Sequence, residues 1–355
     1  MPKFHFSKGR ELAIMFARTC NIACKHCGID SSPENKERMT LENAEAIIVS
    51  AASIPDFKKI TFTGGEPLMF PQEHLQLLRL CRDFGLMTRI VSNGFWAKTP
   101  KRGRALLAEL IEAGLTELNF SADIYHLEFQ DKSILQSALN LTAETGLARI
   151  VSFVTNGSTD PLTDFANLYD LPRDKLLDLR KIPWDRGEID RLKDDYIFVF
   201  YGGLIGLGRA AQYPEMLRYY PVDYFPLDAS CREIVDKPVV YPDGSFQACC
   251  CAGGKIGSFT VGNAFTEDLG LLYDKMQQRA HFRLINTHGP RQLFDCVRTA
   301  RPDLRLPHEY TSICELCVRA AQHLSADEID KIATAYLWEE TLRCYSPSEL
   351  EDAVQ

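Results

Sequence analysis

Three cysteines fall within eight residues, in the run Cys20-Asn21-Ile22-Ala23-Cys24-Lys25-His26-Cys27. Thiolates are soft ligands, and this spacing is one that holds metal. A structural zinc site wants four ligands, and neither a fourth cysteine nor a suitable distant pair lies close by in the sequence. Three thiolates suit a four-iron cluster in which one iron stays open. An open iron binds a substrate or cofactor, which a closed four-cysteine site does not do.

The elements that position this run read as alternating strand and helix. Leu12–Ala17 is a short apolar strand ending just before Cys20. Thr40 is a plausible N-cap for a helix over Leu41–Ser53. Strands follow at Lys59–Thr63, Thr88–Val91, Leu115–Phe120, Ile150–Val154 and Ile197–Tyr201. Helices are expected at Gln72–Phe84, Arg102–Ala113 and Ser133–Thr145, with Gly85, Gly114 and Gly146 placed as glycines that end them. One β-α unit every roughly 25–30 residues is the signature of a parallel sheet covered by helices. In such sheets the active site lies at the carboxyl ends of the strands. The charged stretch Leu171–Tyr196 reads as a helix-loop insertion. After about Tyr213 the alternation stops and prolines, aromatics and cysteines rise. Val239–Cys250 reads as a hairpin turning at Asp243-Gly244. Helices are expected at Thr266–Arg279, Glu315–Leu324 and Asp327–Tyr345, before an acidic tail.

With the cysteines set against these elements, the chain resembles the radical S-adenosylmethionine (SAM) superfamily. The C-x3-C-x2-C run carries the resemblance, and two further motifs add to it. Thr63-Gly64-Gly65-Glu66-Pro67 follows the second strand, and Ser92-Asn93-Gly94 follows the third. The resemblance implies a partial (β/α)6 TIM-like barrel over residues 10–213. It implies that Cys20, Cys24 and Cys27 hold a [4Fe–4S] cluster whose open iron chelates the methionine end of SAM. Reductive cleavage then gives a 5′-deoxyadenosyl radical that abstracts hydrogen from a substrate. Glycine lets backbone approach a ligand closely, so Gly64 and Gly65 are expected to offer carbonyls to the methionine ammonium. Glu66, Pro67, Ser92 and Asn93 belong to the same cofactor-binding set. His26 stands where the family usually has an aromatic residue beside the adenine. Ser121 is placed to meet the ribose, Arg209 belongs to a Gly-Arg element near the last strand, and Arg149 is considered for the methionine carboxylate.

A second cysteine set resembles the auxiliary-cluster domain called twitch, a shortened relative of the SPASM domain. Cys231 is followed by Gly244, Cys249 and the pair Cys314-Glu315-Leu316-Cys317, and no cysteine occurs from Val318 to Ser325. One auxiliary [4Fe–4S] cluster is therefore expected on Cys231, Cys249, Cys314 and Cys317. Four-thiolate closure suits electron transfer more than substrate binding. The rival reading of the same four residues is zinc. Cys81 reads as a small core residue. Cys250 or Cys251 would replace Cys249 in another register, and Cys296 or Cys344 would complete or replace a ligand. The domain reading is a barrel over 10–213, a small α+β auxiliary-cluster domain over 214–325, and a C-terminal helix and acidic tail over 326–355.

Ser121-Ala122-Asp123-Ile124-Tyr125-His126 continues past the fourth strand at the catalytic end. Asp123, Tyr125 and His126 are the candidates for substrate contact or proton transfer. The plainer alternative for Asp123 is helix capping; Phe95 and Trp96, after the third strand, are candidates to line the pocket, with simple packing as their alternative. Composition bounds what remains. The 355 residues carry 40 Lys+Arg against 48 Asp+Glu, a net charge of −8, which argues against nucleic acid or an anionic membrane as partner. No apolar run approaches the roughly 18 residues of a membrane span, and no secretory signal precedes Arg10, so a reducing cytoplasm is expected for the twelve cysteines. The substrate expected from the resemblance is a ribosomally made peptide that is oxidised, cross-linked or epimerised. A small-molecule dehydrogenase acting on an aminocyclitol or sugar is the alternative, and a non-enzymatic zinc protein is the alternative of another class. A flavodoxin or ferredoxin is the expected electron donor. Only nineteen residues precede Cys20, so a separate precursor-recognition protein is expected for the peptide reading.

Overall fold

The computed structural model describes residues 10–155, 157–182, 186–227, 229–249 and 254–344. Its first part alternates β1 (Arg10–Ala17), α1 (Leu41–Ser53), β2 (Phe57–Gly64), α2 (Pro71–Asp83), β3 (Met87–Ser92), α3 (Pro100–Ala113) and β4 (Glu117–Ser121). It continues with α4 (Ile124–Leu127), α5 (Lys132–Ala143), β5 (Arg149–Thr155), α6 (Pro161–Leu168), β6 (Leu176–Asp178), α7 (Arg186–Leu192) and β7 (Ile197–Gly203). Neighbouring strands run parallel in the order β1-β2-β3-β4-β5-β7-β6. This is a partial TIM-like barrel. Thr40 caps α1 by accepting from the Asn43 amide at 3.2 Å. Gly85, Gly114 and Gly146 close α2, α3 and α5 with positive φ, as their placement in the sequence requires. The side chains of Leu12, Ile14, Phe16, Ile60, Phe62, Ile90, Leu118 and Phe120 share one buried core with the covering helices.

The six strands expected from the sequence are β1 to β5 and β7. The stretch read as an insertion adds β6 at the outer edge, paired with the start of β7. The later part contains β8 (Tyr220–Pro221), α8 (Glu233–Asp236), β9 (Val239–Val240), β10 (Ser245–Gln247), β11 (Thr260–Asn263) and α9 (Leu269–Gln278). It ends with α10 (Ala280–Ala300), β12 (Glu309–Tyr310), α11 (Ile313–Ala321) and α12 (Ala326–Cys344). The β9–β10 hairpin turns at Gly244, whose φ of 84° suits glycine. β9 runs parallel beside β1, pairing Val239 with Ala13, so β9, β10 and β11 extend the barrel sheet to ten strands. β8 and β12 form a separate antiparallel pair. The 21-residue α10 was not anticipated from the sequence, because Gly289-Pro290 interrupts its periodicity. The structure carries the helix through that point with a kink.

The amino ends of the barrel strands close on a buried ion cluster. Arg89 Nη1 donates to both Glu11 oxygens at 2.8 and 3.0 Å, and its Nε donates to Glu117 at 2.5 Å. Lys59 Nζ reaches Glu117 at 2.9 Å, and Thr61 donates to Glu11 at 2.6 Å. Burial pushes the Glu117 carboxyl up, but Arg89 and Lys59 more than offset it and hold it at about 2. Among the described residues, no helix is long and apolar enough to cross a membrane.

Candidate functional site with two cysteine centres

The loop after β1 carries Cys20, Cys24 and Cys27, and all three line one cavity at the carboxyl ends of the strands. Gly64, Gly65, Ser92, Asn93, Ser121, His26 and His126 line the same cavity. The glycine pair explains how the strands meet there. Gly65 N donates to Ala17 O at 2.8 Å and Glu66 N to Thr19 O at 2.9 Å. A β-carbon on Gly65 would collide with the Thr19 carbonyl, and one on Gly64, at φ 121°, with that of Ala17. The pair therefore docks the end of β2 directly against the backbone that leads into Cys20. That contact is in addition to any service to a ligand.

Glu66 and Pro67 stand behind the cavity wall. The buried Glu66 carboxylate accepts from Leu68 N at 3.0 Å, Ser92 Oγ at 3.0 Å and Asn93 N at 2.7 Å. Burial raises its carboxyl to about 7 despite these bonds. Pro67 is buried at the first position of a short 3₁₀ turn that Glu66 caps. Asn93 then faces the loop, its Nδ2 lying 2.8 Å from Asn21 Oδ1 and 3.8 Å from Cys20 Sγ. Arg209 also supports the loop. Its guanidinium donates to Cys24 O and Ser31 O, both at 2.8 Å, and its backbone N donates to Cys27 O at 2.9 Å. Arg149, considered for the methionine carboxylate, is the first residue of β5. It lies at the amino end of the strand, away from the cysteines, and donates to Lys193 O and Asp194 O. That reading is corrected by strand direction. Trp96 packs against Phe120 and donates to Ser92 Oγ at 3.2 Å, and Phe95 packs against the barrel core.

Asp123 both caps α4 and joins two histidines. Its Oδ1 accepts from Tyr125 N at 2.9 Å and His126 N at 3.1 Å, and lies 2.9 Å from His126 Nδ1. Its Oδ2 lies 3.2 Å from His26 Nε2. Burial opposes ionisation of Asp123, but His126 and His26 outweigh it and lower its carboxyl below the usual range. Burial drives His26 down to about 4, so its ring is neutral near pH 7. The His26 ring lies 4.9 Å from that of Tyr125, tilted by 33°. Sequence reasoning picked Asp123, Tyr125 and His126 together and His26 separately. Their meeting depends on two loops that are a hundred positions apart.

The second set also converges. Cys231, Cys249, Cys314 and Cys317 line one pocket, with walls from Ile234, Ile256, Phe259, Ile285 and Val318. Cys314 and Cys317 sit in the first turns of α11, three residues apart and so on one side. Cys231 is fixed by α10, its N donating to Ile285 O at 3.1 Å. Gly289 lets that helix approach, since a β-carbon there would collide with the Ala229 carbonyl. Burial pushes the Cys231 thiol up to about 11 and Cys317 well above its ordinary value, and neighbouring cysteines add to both shifts. Four soft sulfur donors in an apolar pocket fit a thiolate-bound metal centre, whose positive charge reverses that cost. Cys296 lies on α10 outside the pocket, where it accepts from Gln292 Nε2 at 3.6 Å. Cys81 is wholly buried in the barrel core. Cys250, Cys251 and the acidic tail from 345 onwards lie outside the described residues, as does the side chain of Cys344.

Residues 14–145 match the family described as the radical SAM superfamily. The putative peptide biosynthesis protein YydG of Bacillus subtilis (strain 168) is 26% identical over 130 residues, 37% of this chain and 41% of the relative. The AdoMet-dependent heme synthase of Oleidesulfovibrio alaskensis is 29% identical over 124 residues, 35% of this chain and 30% of the relative. The chain thus aligns with less than half the length of either. In overall shape it overlaps native anSMEcpe with bound AdoMet and Cp18Cys peptide at a TM-score of 0.49 and 14% identity, over 92% of this chain and 99% of the other. BtrN in complex with AdoMet and 2-DOIA overlaps at 0.41 and 15%, over 81% and 89%.

Proposed function

We propose that the chain is a radical SAM oxidoreductase that modifies a peptide. In this reading Cys20, Cys24 and Cys27 hold the SAM-binding [4Fe–4S] cluster. His26, Gly64, Gly65, Ser92, Asn93 and Ser121 receive SAM, while Glu66, Pro67 and Arg209 hold that wall in place. The observation that carries it is convergence: three separate motifs line one cavity at the carboxyl ends of β1 to β4. When bound, cluster and SAM together supply hydrogen-atom abstraction from the substrate.

The remaining work falls to the chain's own groups. Asp123 fixes the orientation of His126 through Nδ1, which leaves Nε2 as the nitrogen that exchanges a proton with substrate. Tyr125, packed against the His26 ring, shapes the wall beside them. Cys231, Cys249, Cys314 and Cys317 hold one auxiliary [4Fe–4S] cluster, which suits taking up an electron from the substrate side. The barrel then corresponds to residues 10–213, and the auxiliary domain to 214–325. The alignment with a peptide biosynthesis protein favours a peptide over an aminocyclitol or sugar. An external donor of the flavodoxin or ferredoxin type supplies the reducing electron.

The test is mass spectrometry of deuterium transfer into 5′-deoxyadenosine from labelled candidate peptides, using anaerobically reconstituted protein. Transfer from a peptide supports the reading, and transfer only from a labelled aminocyclitol overturns the peptide assignment. Metal analysis provides the prior check: two clusters give roughly eight irons per chain. Zinc with negligible iron would sink the reading altogether.

A further inference from the structure

Hydrogen bonds and one short backbone segment, 206–209, connect the two cysteine centres. Glu315 lies between Cys314 and Cys317 in the chain, and its side chain is buried. Glu315 Oε2 accepts from Thr311 N at 2.7 Å and from Thr311 Oγ1 at 2.8 Å. Thr311 Oγ1 in turn accepts from Gly206 N at 2.8 Å. A β-carbon on Gly206 would lie 3.1 Å from both Glu315 oxygens, so the carboxylate packs on that backbone as well as bonding towards it. Three residues later, Arg209 holds the catalytic loop at Cys24 O, Cys27 O and Ser31 O. Between them Gly208, at φ 58°, lies so close to Gly28 that any β-carbon would collide with the Gly28 carbonyl. Leu204 and Ala210, at either end of the segment, are buried in one cluster with Cys20, Cys24 and Tyr125.

We propose that Glu315 and Thr311 are positioning residues for the first cysteine centre, acting through the 204–209 segment and Arg209. The start of α11, which presents Cys314 and Cys317 to the second pocket, thereby sets the height and direction of the loop presenting Cys24 and Cys27 to the first. Coupling of this kind needs a physical element contacted by both sites, and the segment is one. The coupling is reciprocal: whatever orders one centre favours order at the other. This goes beyond the proposed reaction, because it concerns the protein's own loop and holds whichever substrate is turned over.

The experiment is hydrogen exchange with mass spectrometry on the anaerobically reconstituted full chain, comparing wild type with Thr311→Val, Glu315→Gln and Ser312→Ala. Thr311→Val removes the bridging hydroxyl while keeping the shape. Ser312→Ala removes the helix cap that accepts from Glu315 N but does not reach Gly206. The expectation is exchange about tenfold faster in peptides covering 204–209 and 24–31 for Thr311→Val, and an intermediate change for Glu315→Gln. Exchange in β2 to β4 stays as in wild type. The reduced-cluster EPR signal of Thr311→Val should respond to SAM with a weakened half-saturation, at unchanged iron content. The proposal is overturned if residues 24–31 exchange as in wild type in Thr311→Val. It is equally overturned if protection falls evenly across the barrel, or if Ser312→Ala loosens the loop as much. Deuterium transfer from substrate does not enter this readout, so failure here leaves the peptide reading standing, and the reverse.

Discussion

The two cysteine centres are built by different means. The first is a loop that bends back on itself, held by a polar frame as well as by a small buried cluster in which Cys20 and Cys24 pack with Ile22, Tyr125, Leu204 and Ala210. Asn93 and Arg209 bind it with side-chain hydrogen bonds, Glu66 in turn holds Asn93 N, and Gly64 and Gly65 permit backbone-to-backbone bonds at Ala17 and Thr19. The second is a mostly apolar pocket, walled by isoleucines, a phenylalanine and a valine with Gln247 at one side. A polar, hydrogen-bonded frame suits a site that must admit a charged ligand and orient it. An apolar enclosure suits a fully ligated centre that takes no ligand and only moves charge.

Replacing residues at each centre gives the sharpest contrast. Changing Cys20, Cys24 and Cys27 to Ala is expected to abolish SAM cleavage, measured as 5′-deoxyadenosine, while roughly four irons per chain remain. Changing Cys314 and Cys317 to Ala should stop product formation yet leave uncoupled SAM cleavage at about a tenth or more of the wild-type rate, because the proposal assigns the open iron to the other centre. Equal loss of cleavage in both variants would erase the distinction drawn between the centres.

The frames also differ in their response to acid. The barrel beneath the first centre rests on the ion cluster of Glu11, Lys59, Arg89 and Glu117. The Glu117 carboxyl is held at about 2, below its ordinary 4.5. A carboxyl depressed on folding contributes stability above its unfolded value, and that stability is lost as pH falls through the folded value. Between about pH 4.5 and pH 2 the barrel should therefore lose about 3 kcal/mol from this group. Glu117→Gln should remove most of that dependence and lower the stability at pH 7, because Arg89 and Lys59 then lose their shared partner. Denaturant unfolding followed by circular dichroism over that pH range checks both statements. An unchanged acid profile in the variant would show that Glu117 is not the source.

Much of this arrangement was legible in the sequence, and the omissions have physical causes. Helix periodicity and caps placed α1 and α2 within a residue or so, because Thr40 and Gly85 are local signals. The three motifs of the first centre were legible because each is short and contiguous. α10 was not, since Gly289-Pro290 breaks the pattern that marks a helix. The structure tolerates the break because Gly289 must pass the Ala229 carbonyl and Pro290 lines the second pocket. The meeting of His26, Asp123 and His126 had no sequence signal, because it depends on how the loop after β1 lies over the end of β4. Arg149 shows a different kind of error. The rule that sites lie at carboxyl ends of strands was available, and applied to the first residue of β5 it would have excluded this arginine.

Within the first centre, Glu66 offers a graded test. Glu66→Gln keeps the shape and one acceptor oxygen but turns an NH2 towards groups that themselves donate, either Asn93 N or the pair Leu68 N and Ser92 Oγ. Leaving a buried donor without its acceptor costs about 1–3 kcal/mol. The cost should fall on the loop after β3, and so on the wall of the cavity. The expected outcome is a KM for SAM raised by about tenfold or more with kcat less affected, and iron at the second centre unchanged. A kcat loss with unaltered KM would move Glu66 from the supporting wall to the reaction itself.

Arg149 gives the smallest expected effect and tests the assignment of the two barrel ends. Its guanidinium binds two carbonyls at the amino end of β5, and that end is separated from the cysteine loop by the length of the strand. Seven residues of strand at about 3.3 Å per step span about 20 Å, too far for a direct contact with a ligand at the carboxyl ends. Arg149→Ala should therefore leave the KM for SAM and the cleavage rate within about twofold of wild type, and cost about 1–2 kcal/mol of stability through the two lost hydrogen bonds. A tenfold weakening of SAM binding at unchanged stability would contradict the strand direction on which the whole placement of the site depends. That outcome would count against the first centre more heavily than any cysteine substitution.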